Sequence, residues 1–309
     1  MCGIAGVVDS SGNLSQTLLE KMSDVIKHRG PDDKGIYFDK EKGIGFVHRR
    51  LSIIDLQSGH QPMESFDDSC VIVFNGEIYN YKELREDLLK QGMKFRTNSD
   101  TETILNTYIK YGVEGFNRLN GMFAFAIYDK KKNKIVLARD SFGVKPLYYS
   151  FTSNGVTFAS EIKAILQNKN YKAELDYTAF NSFLTYRYNP SPQALFKNIF
   201  KLKPGEYLEY NLDGNHKLAN FDKYEPKINY SIKEKDAIEE YSRLLENSVS
   251  MQLTSDVPVG LFLSGGIDSA VLGYFMKKTS EKKFDSFTVG FNIDGSFNEI
   301  DDANISSKF

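Results

Sequence analysis

Cys2, one position behind Met1, is the residue of this 309-residue chain with the most reactive side chain in the most suggestive place. Removal of Met1 would leave one residue carrying both a thiol nucleophile and a free α-amine. The amine's reference pKa is about 7.7–8.0, against about 8.5 for a free thiol, so the amine is partly neutral near neutral pH and accepts a proton. That is the N-terminal-nucleophile arrangement. The plainer reading of Cys2 alone is a small buried hydrophobe opening a strand. Asn75-Gly76-Glu77 follows an apolar run. By itself Asn-Gly reads as a type I′ hairpin turn. Beside a nucleophile, a Gly backbone N–H and an Asn amide form an oxyanion hole, at about 3–4 kcal/mol per donor. Arg50 presents a planar fork that fits a carboxylate, and Asp100 at a helix start is either an N-cap or a partner for an ammonium. A positive group, a negative group and a thiol together suit a free α-amino acid.

Leu263-Ser264-Gly265-Gly266-Ile267-Asp268-Ser269 is the second chemical signal. The glycines let the backbone turn tightly and aim N–H groups inward. Ser264 and Ser269 add hydroxyls, and a helix N-terminus adds partial positive charge. Such a loop suits a phosphate or pyrophosphate. No Lys follows the glycines, so it is not the common P-loop. Asp268 offers a carboxylate to a magnesium ion bridging phosphates, the alternative being a helix cap. His28, His48, His60 and His216 lack metal-ligand spacing and read as structural, and Cys70 reads as core.

The elements that must position these residues are mixed. Short apolar or alternating runs predict strands at Gly3–Val8, Ile44–His48, Val71–Phe74, Met122–Tyr128 and Lys134–Ala138. Helices are predicted at Gln16–Lys27, Tyr81–Lys90, Thr101–Tyr111 and Glu161–Gln167. Met122–Tyr128 is apolar on both faces, so its sheet should be covered on both sides. The stretch 221–231 is poor in aliphatics and reads as a linker. Beyond it a helix at Ile232–Gln252, a strand at Val257–Leu263, a helix to about Lys278 and a strand at Phe284–Phe291 open a parallel α/β sheet. Two parallel strands do not make a stable domain, so the second domain is expected to be cut short. With 41% apolar and 26% charged residues the chain can bury a core, and with a net charge of −2 and no basic block nucleic acid is not an expected partner. No stretch approaches the roughly 20 apolar residues of a membrane span. The start is too short for a signal peptide. Two cysteines, one of them a candidate nucleophile, fit a reducing cytoplasm.

Assembled, Met1-Cys2-Gly3-Ile4, His28-Arg29-Gly30-Pro31-Asp32, Arg50-Leu51-Ser52-Ile53, Asn75-Gly76-Glu77-Ile78-Tyr79-Asn80, Ser99-Asp100-Thr101-Glu102, Gly121-Met122-Phe123-Ala124-Phe125, Arg139-Asp140, Ala159-Ser160-Glu161 and Leu263–Ser269 resemble the glutamine-hydrolysing asparagine synthetase family. The segments occur in family order along nearly the whole chain. The resemblance implies an α+β class II glutamine amidotransferase domain at 2–220, an αββα N-terminal-nucleophile hydrolase sandwich. It implies a linker at 221–231, then at 232–309 the start of an ATP-dependent synthetase domain with an adenine-nucleotide α-hydrolase-like sheet. The family's synthetase half continues beyond Phe309.

By position, the resemblance makes Cys2 the glutaminase nucleophile and Asn75 and Gly76 the oxyanion donors. Arg50 would hold the glutamine carboxylate and Asp100 its ammonium, while Leu51, Ser52, Ile53, Ile54 and Glu77 would line the pocket. Leu263 and Val289 would flank the adenosine of ATP. Ser264, Gly265, Gly266, Asp268 and Ser269 would hold its pyrophosphate end, with Asp268 as magnesium ligand. The implied substrates are glutamine, aspartate and ATP. The alternatives are a different carboxylate acceptor, a β-lactam synthetase relative (argued against by the intact glutamine residues) and a catalytically silent scaffold. The sequence leaves oligomeric state open, a homodimer included.

Overall fold

The computed structural model describes residues 1–222, 225–280, 283–291 and 298–308. Two compact units divide at Glu225 and Pro226. The first contains strands β1 (Gly3–Asp9), β2 (Asp33–Asp39), β3 (Ile44–Arg50), β4 (Met63–Glu64), β5 (Cys70–Ile78), β6 (Gly121–Asp129), β7 (Lys134–Arg139), β8 (Tyr148–Thr152), β9 (Gly155–Ala159), β10 (Phe200–Lys201), β11 (Glu206–Asn211) and β12 (His216–Asn220). Its helices are α1 (Gln16–Val25), α2 (Tyr81–Lys90), α3 (Asp100–Tyr111), α4 (Ile162–Ile165) and α5 (Tyr177–Tyr186). The strands form two antiparallel sheets, ordered β10-β8-β9-β1-β3-β2 and β12-β11-β7-β6-β5-β4.

Side-chain alternation explains the layering. Along β6, Ala124, Ala126 and Tyr128 face a core shared with Ile4, Val8, Phe46 and Phe158 of the other sheet. Phe123, Phe125 and Ile127 face the opposite way, onto Ile104, Leu105 and Tyr108 of α3. Along β1, Ile4 and Val8 point to the inter-sheet core, while Ala5 and Val7 pack with Leu19 and Met22 of α1 and Ala164 and Ile165 of α4. Strands with period 2 that are apolar on both faces need cover on both sides, and the result is an αββα sandwich.

Several boundaries differ from the sequence-based expectation. The predicted helix 16–27 stops at Val25 and passes into a 3-10 turn, Lys27–Arg29. The helix predicted at 161–167 is a single turn, Ile162–Ile165. Besides the two-residue β4 and β10, strands β2, β8, β9, β11 and β12 and helix α5 were not predicted. Their apolar residues alternate with polar ones over runs of only five to seven residues, or are interrupted by Gly and Asp. Phe221, read as the first linker residue, packs between the rings of Phe116 and Phe123, so the compact unit extends past it. The rest of that stretch includes Lys223 and Tyr224, which lie outside the described residues.

The second unit holds α6 (Glu234–Gln252), β13 (Leu261–Phe262), α7 (Ile267–Thr279), β14 (Ser286–Phe287) and α8 (Ile300–Ser306). β13 and β14 are parallel, as expected of a βαβ unit, but pair over only two residues each instead of the predicted seven or eight. With no third strand among the described residues, neither is held along its length, and Phe262 is 81% exposed. Val249, Phe275 and Met276 form a small buried cluster between α6 and α7. No described helix is long and apolar enough to cross a membrane.

Candidate active site

One cleft of the first unit gathers residues from the segment just before β1 and from β3, β5, β6 and α3. Cys2, Arg50, Leu51, Ile53, Ile54, Asn75, Gly76, Glu77 and Asp100 all line it. Ser52 does not: its N–H is turned to Asp32 Oδ2 at 2.9 Å.

Cys2 sits just before β1 and is fixed from both sides. Arg29 Nε donates to its carbonyl at 2.9 Å, and Arg29 is itself held by Glu161 at 3.0 Å. The Leu51 N–H points at the Cys2 sulfur, 3.4 Å away. Burial pushes the thiol up; the Leu51 N–H, the terminal ammonium and Arg50 pull it back. Gly30 belongs to this support, because a Cβ there would collide with the backbone of Arg49.

Asn75 and Gly76 do not form a turn. They lie inside β5, opposite Ala124 and Phe123 of β6, and Gly76 is needed because a Cβ would collide with the Met122 carbonyl. Cross-strand pairing overrides the local turn preference of Asn-Gly. Phe74, the residue before, has both backbone groups held by buried side chains: its N–H by Gln61 Oε1 at 2.6 Å and its carbonyl by His48 Nε2 at 3.0 Å. Asn75 is 1% exposed, yet its Nδ2 finds no hydrogen-bond partner in the protein. A buried amide left unpaired costs about 1–3 kcal/mol, and a group on the substrate can relieve that cost.

Asp100 is not the N-cap of α3. Ser99 caps it, accepting from Thr101 N at 3.2 Å, which frees the Asp100 carboxylate to accept from Ile78 N at 3.1 Å. Arg50 is wrapped by the following loop, donating to the carbonyls of Ile54 at 3.0 Å and Asp55 at 2.6 Å. Gly59 leaves room for that guanidinium.

In the second unit the loop Leu263–Ser269 runs from β13 into α7. Ser264 and Ser269 hydroxyls lie 3.0 Å apart, Gly266 N donates to Ser264 Oγ and Gly265 N to Glu299 Oε2, both at 3.2 Å. Gly266, not Asp268, occupies the N-cap position; Asp268 lies in the first turn. Leu263, Ser264 and Val289 line one shallow cleft with Glu299; Gly265, Gly266, Asp268 and Ser269 are not in it. Among the described residues no three His, Cys, Asp or Glu converge to hold a metal.

Comparison with known proteins is consistent over both units. A glutamine amidotransferase domain family matches residues 1–224, which is most of the chain. The chain belongs to the glutamine amidotransferase family. An asparagine synthase family matches residues 240–308 of this amidotransferase. Asparagine synthetase [glutamine-hydrolyzing] 1 of Bacillus subtilis is 40% identical, over 97% of the chain and 47% of that protein. A putative asparagine synthetase [glutamine-hydrolyzing] 2 of Methanocaldococcus jannaschii is 40% identical, over 97% of the chain and 61% of that protein. The chain thus spans about half the length of these relatives. A solved glutamine phosphoribosylpyrophosphate amidotransferase from B. subtilis, complexed with ADP and GMP, is similar in fold, with a TM-score of 0.51 at 17% identity over 93% of the chain and 65% of that structure.

Electrostatics give the amidotransferase cleft its character. Burial raises the Asp100 carboxyl to about 6 against the pull of backbone N–H groups. Burial, with Asp100 nearby, raises Glu77 to about 7, while Lys145 pulls it down. Two reluctant carboxylates in one cleft favour a cationic ligand, whose charge would let both ionise. Gln61, Phe74, Met122 and Lys145 also line the cleft and were missed in the sequence. Lys145 follows a Gly-containing turn and carries no local signal. Gln61 acts only by reaching Phe74 and Thr101, far away in sequence.

Proposed function

We propose that this amidotransferase hydrolyses glutamine at Cys2 and supplies the ammonia to an ATP-dependent amidation of aspartate. The products are glutamate, asparagine, AMP and diphosphate. The observation that carries the reading is the buried, unpartnered Asn75 amide nitrogen opening onto the cleft of Cys2, Arg50 and Asp100. The two relatives above, named as glutamine-hydrolysing asparagine synthetases, support the acceptor half.

In this reading Met1 is removed and Cys2 becomes the first residue. Its α-amine accepts the thiol proton, and the sulfur attacks the side-chain amide carbon of glutamine. Asn75 Nδ2 and the Gly76 N–H stabilise the developing oxyanion. The C–N bond breaks, ammonia leaves with the proton returned from the amine, and water cleaves the thioester to glutamate. Arg50 and Asp100 hold the substrate's carboxylate and ammonium. The backbone of Leu51, Ile53 and Ile54 and the Glu77 carboxyl shape the rest of the pocket.

The second unit fits a nucleotide phosphate. Its loop N–H groups already point at oxygen acceptors, one of them the Glu299 carboxylate. Asp268 and phosphate oxygens would hold magnesium, which commonly uses only one or two protein carboxylates. The ion would neutralise charge on the departing diphosphate. Both thiols are reduced in the cytoplasmic setting this reading assigns.

The test is glutamate release from glutamine by the chain and by Cys2→Ala. The variant should lose all activity. Hydrolysis at the parental rate would overturn the glutaminase assignment. Diphosphate release dependent on aspartate, measured with the chain extended to the length of its relatives, tests the acceptor; release only with another carboxylate would replace aspartate.

A further inference from the structure

The stretch following β7 aims a cation at the glutamine cleft. Asp140 accepts from the N–H groups of Phe123 at 3.2 Å, Phe142 at 3.1 Å, Val144 at 2.9 Å and Lys145 at 3.0 Å. Arg139 donates to the carbonyls of Lys145 at 2.7 Å and Leu202 at 2.6 Å, and also to that of Gly143. Gly143 has φ +65°, a left-handed conformation that suits glycine, and a Cβ there would press on the Arg139 guanidinium. The carboxylate of Asp140 and the guanidinium of Arg139 are thereby spent on backbone. What they hold rigidly is Lys145, only 7% exposed, whose side chain lines the cleft with Cys2 and Glu77. Among the described residues its ammonium is in no ion pair.

A buried lysine that opens only onto a cleft is costly unless its charge serves the cleft's contents. Burial lowers the Lys145 ammonium and Arg29 pushes it further down, while Glu77, Cys2 and Asp140 pull it up. Besides Lys145, whose ammonium Cys2 pulls up, the charged groups acting on Cys2 are the terminal amine and Arg50, which favour its thiolate, and Asp100, which opposes it. Interaction between two charges is mutual, so the cation that Cys2 favours in turn favours the Cys2 thiolate.

We propose that Lys145 is the positioning residue whose fixed positive charge favours the thiolate of Cys2 and the ionised carboxylate of Glu77 in the glutamine cleft. The proposal rests on the reading of Cys2 as the nucleophile. Deprotonation of the sulfur then leaves a thiolate beside the Leu51 N–H, in the cleft that Lys145 also lines, and the proton goes to the α-amine or to solvent. No covalent bond to Lys145 is involved.

The experiment is the rate of Cys2 alkylation by iodoacetamide as a function of pH, with the modified peptide identified by mass. It needs no glutamine turnover. Lys145→Met should move the labelling profile to higher pH, lowering the rate near neutrality about tenfold, the change that one pKa unit produces. Lys145→Arg, which keeps the charge, should restore it. Glu77→Gln, which removes the opposing charge, should move the profile to lower pH and serves where Lys145→Met does not fold. Profiles for Lys145→Met and the parent that superimpose, or an arginine variant that behaves as the methionine one, overturn the proposal; so does a Glu77→Gln profile that stays in place. A parent chain with a Lys145-dependent profile that hydrolyses no glutamine defeats only the glutaminase reading. A chain that hydrolyses glutamine but shows no Lys145 dependence defeats only this one.

Discussion

The two chemical sites are built on opposite plans. In the glutamine cleft several key groups are held by residues distant in sequence: Cys2 by Leu51 and Arg29, the Asp100 carboxylate by Ile78, the Phe74 backbone by Gln61 and His48; Arg50, held by Ile54 and Asp55, is the local case. In the Leu263–Ser269 loop the turn itself is bonded internally, Ser264 with Ser269 and Gly266 with Ser264, while Phe287 of β14 and the adjacent Thr288 hold Leu263 and Glu299 reaches Gly265. The first site borrows rigidity from a doubly covered sandwich. The second takes its shape from a strand–turn–helix geometry that needs few neighbours. Preorganisation of the first kind is bought with a core, and it should fail when the core fails.

The largest break in this contrast is expected from Phe125→Ala. Phe125 is fully buried between β6 and α3, so its loss should cost about 3–5 kcal/mol of the first unit's stability, measured by denaturant unfolding. Glutamine hydrolysis should fall with the fold. An unchanged midpoint would show that the sandwich does not carry the cleft.

Asn75→Ala separates chemistry from stability. Its Nδ2 has no protein partner, so the fold should hold while kcat for glutamine falls by about 10²–10³. A parallel loss of stability would mean that the amide is structural. Gln61→Ala should do the reverse in part: it orphans the Phe74 N–H, at about 1–3 kcal/mol, and lowers kcat by misplacing Asn75.

Titration sharpens the comparison further. Asp100 and Glu77 sit at about 6 and about 7, above the usual carboxylate range. Binding an ammonium favours their ionised forms, so protons leave on binding. Glutamine affinity should therefore rise as pH increases through this window and level off above it; below both values it falls, by about tenfold per pH unit for each carboxyl that must ionise. Calorimetry in buffers of different ionisation enthalpy reads the released protons, and Asp100→Asn should remove the lower step. The smallest effect on the cleft belongs to Ser269→Ala, which removes a hydroxyl bonded within its own loop to Ser264 and Gly266, should cost about 1 kcal/mol, and should leave glutamine hydrolysis untouched.

The apolar runs of β1 and β6, the amphipathic α2, the helix α3 and the Gly-Gly loop before α7 were legible because each depends on neighbours along the chain. The short strands β8 to β12 were not, since runs this brief form only when a partner strand is present. Cys2, Arg50, Asn75 and Asp100 could be named from residue type. Whether Asn75 stood in a turn or a strand, and whether Asp100 capped its helix, could not.

The order of residues thus determined which groups could react and where the principal strands and helices would begin. Tertiary structure alone decided that Asn75 keeps a buried donor unspent, that Ser99 relieves Asp100 of capping, and that Lys145 is held at the cleft by Asp140 and Arg139. Each of these is a matter of which hydrogen-bonding groups are already satisfied. Ser99, Asp140 and Arg139 act over a few residues, but the groups that complete each arrangement come from far along the chain: the Ile78 N–H for Asp100, the Phe123 N–H for Asp140 and the Leu202 carbonyl for Arg139, brought within about 3 Å only when the sheets close on their cores.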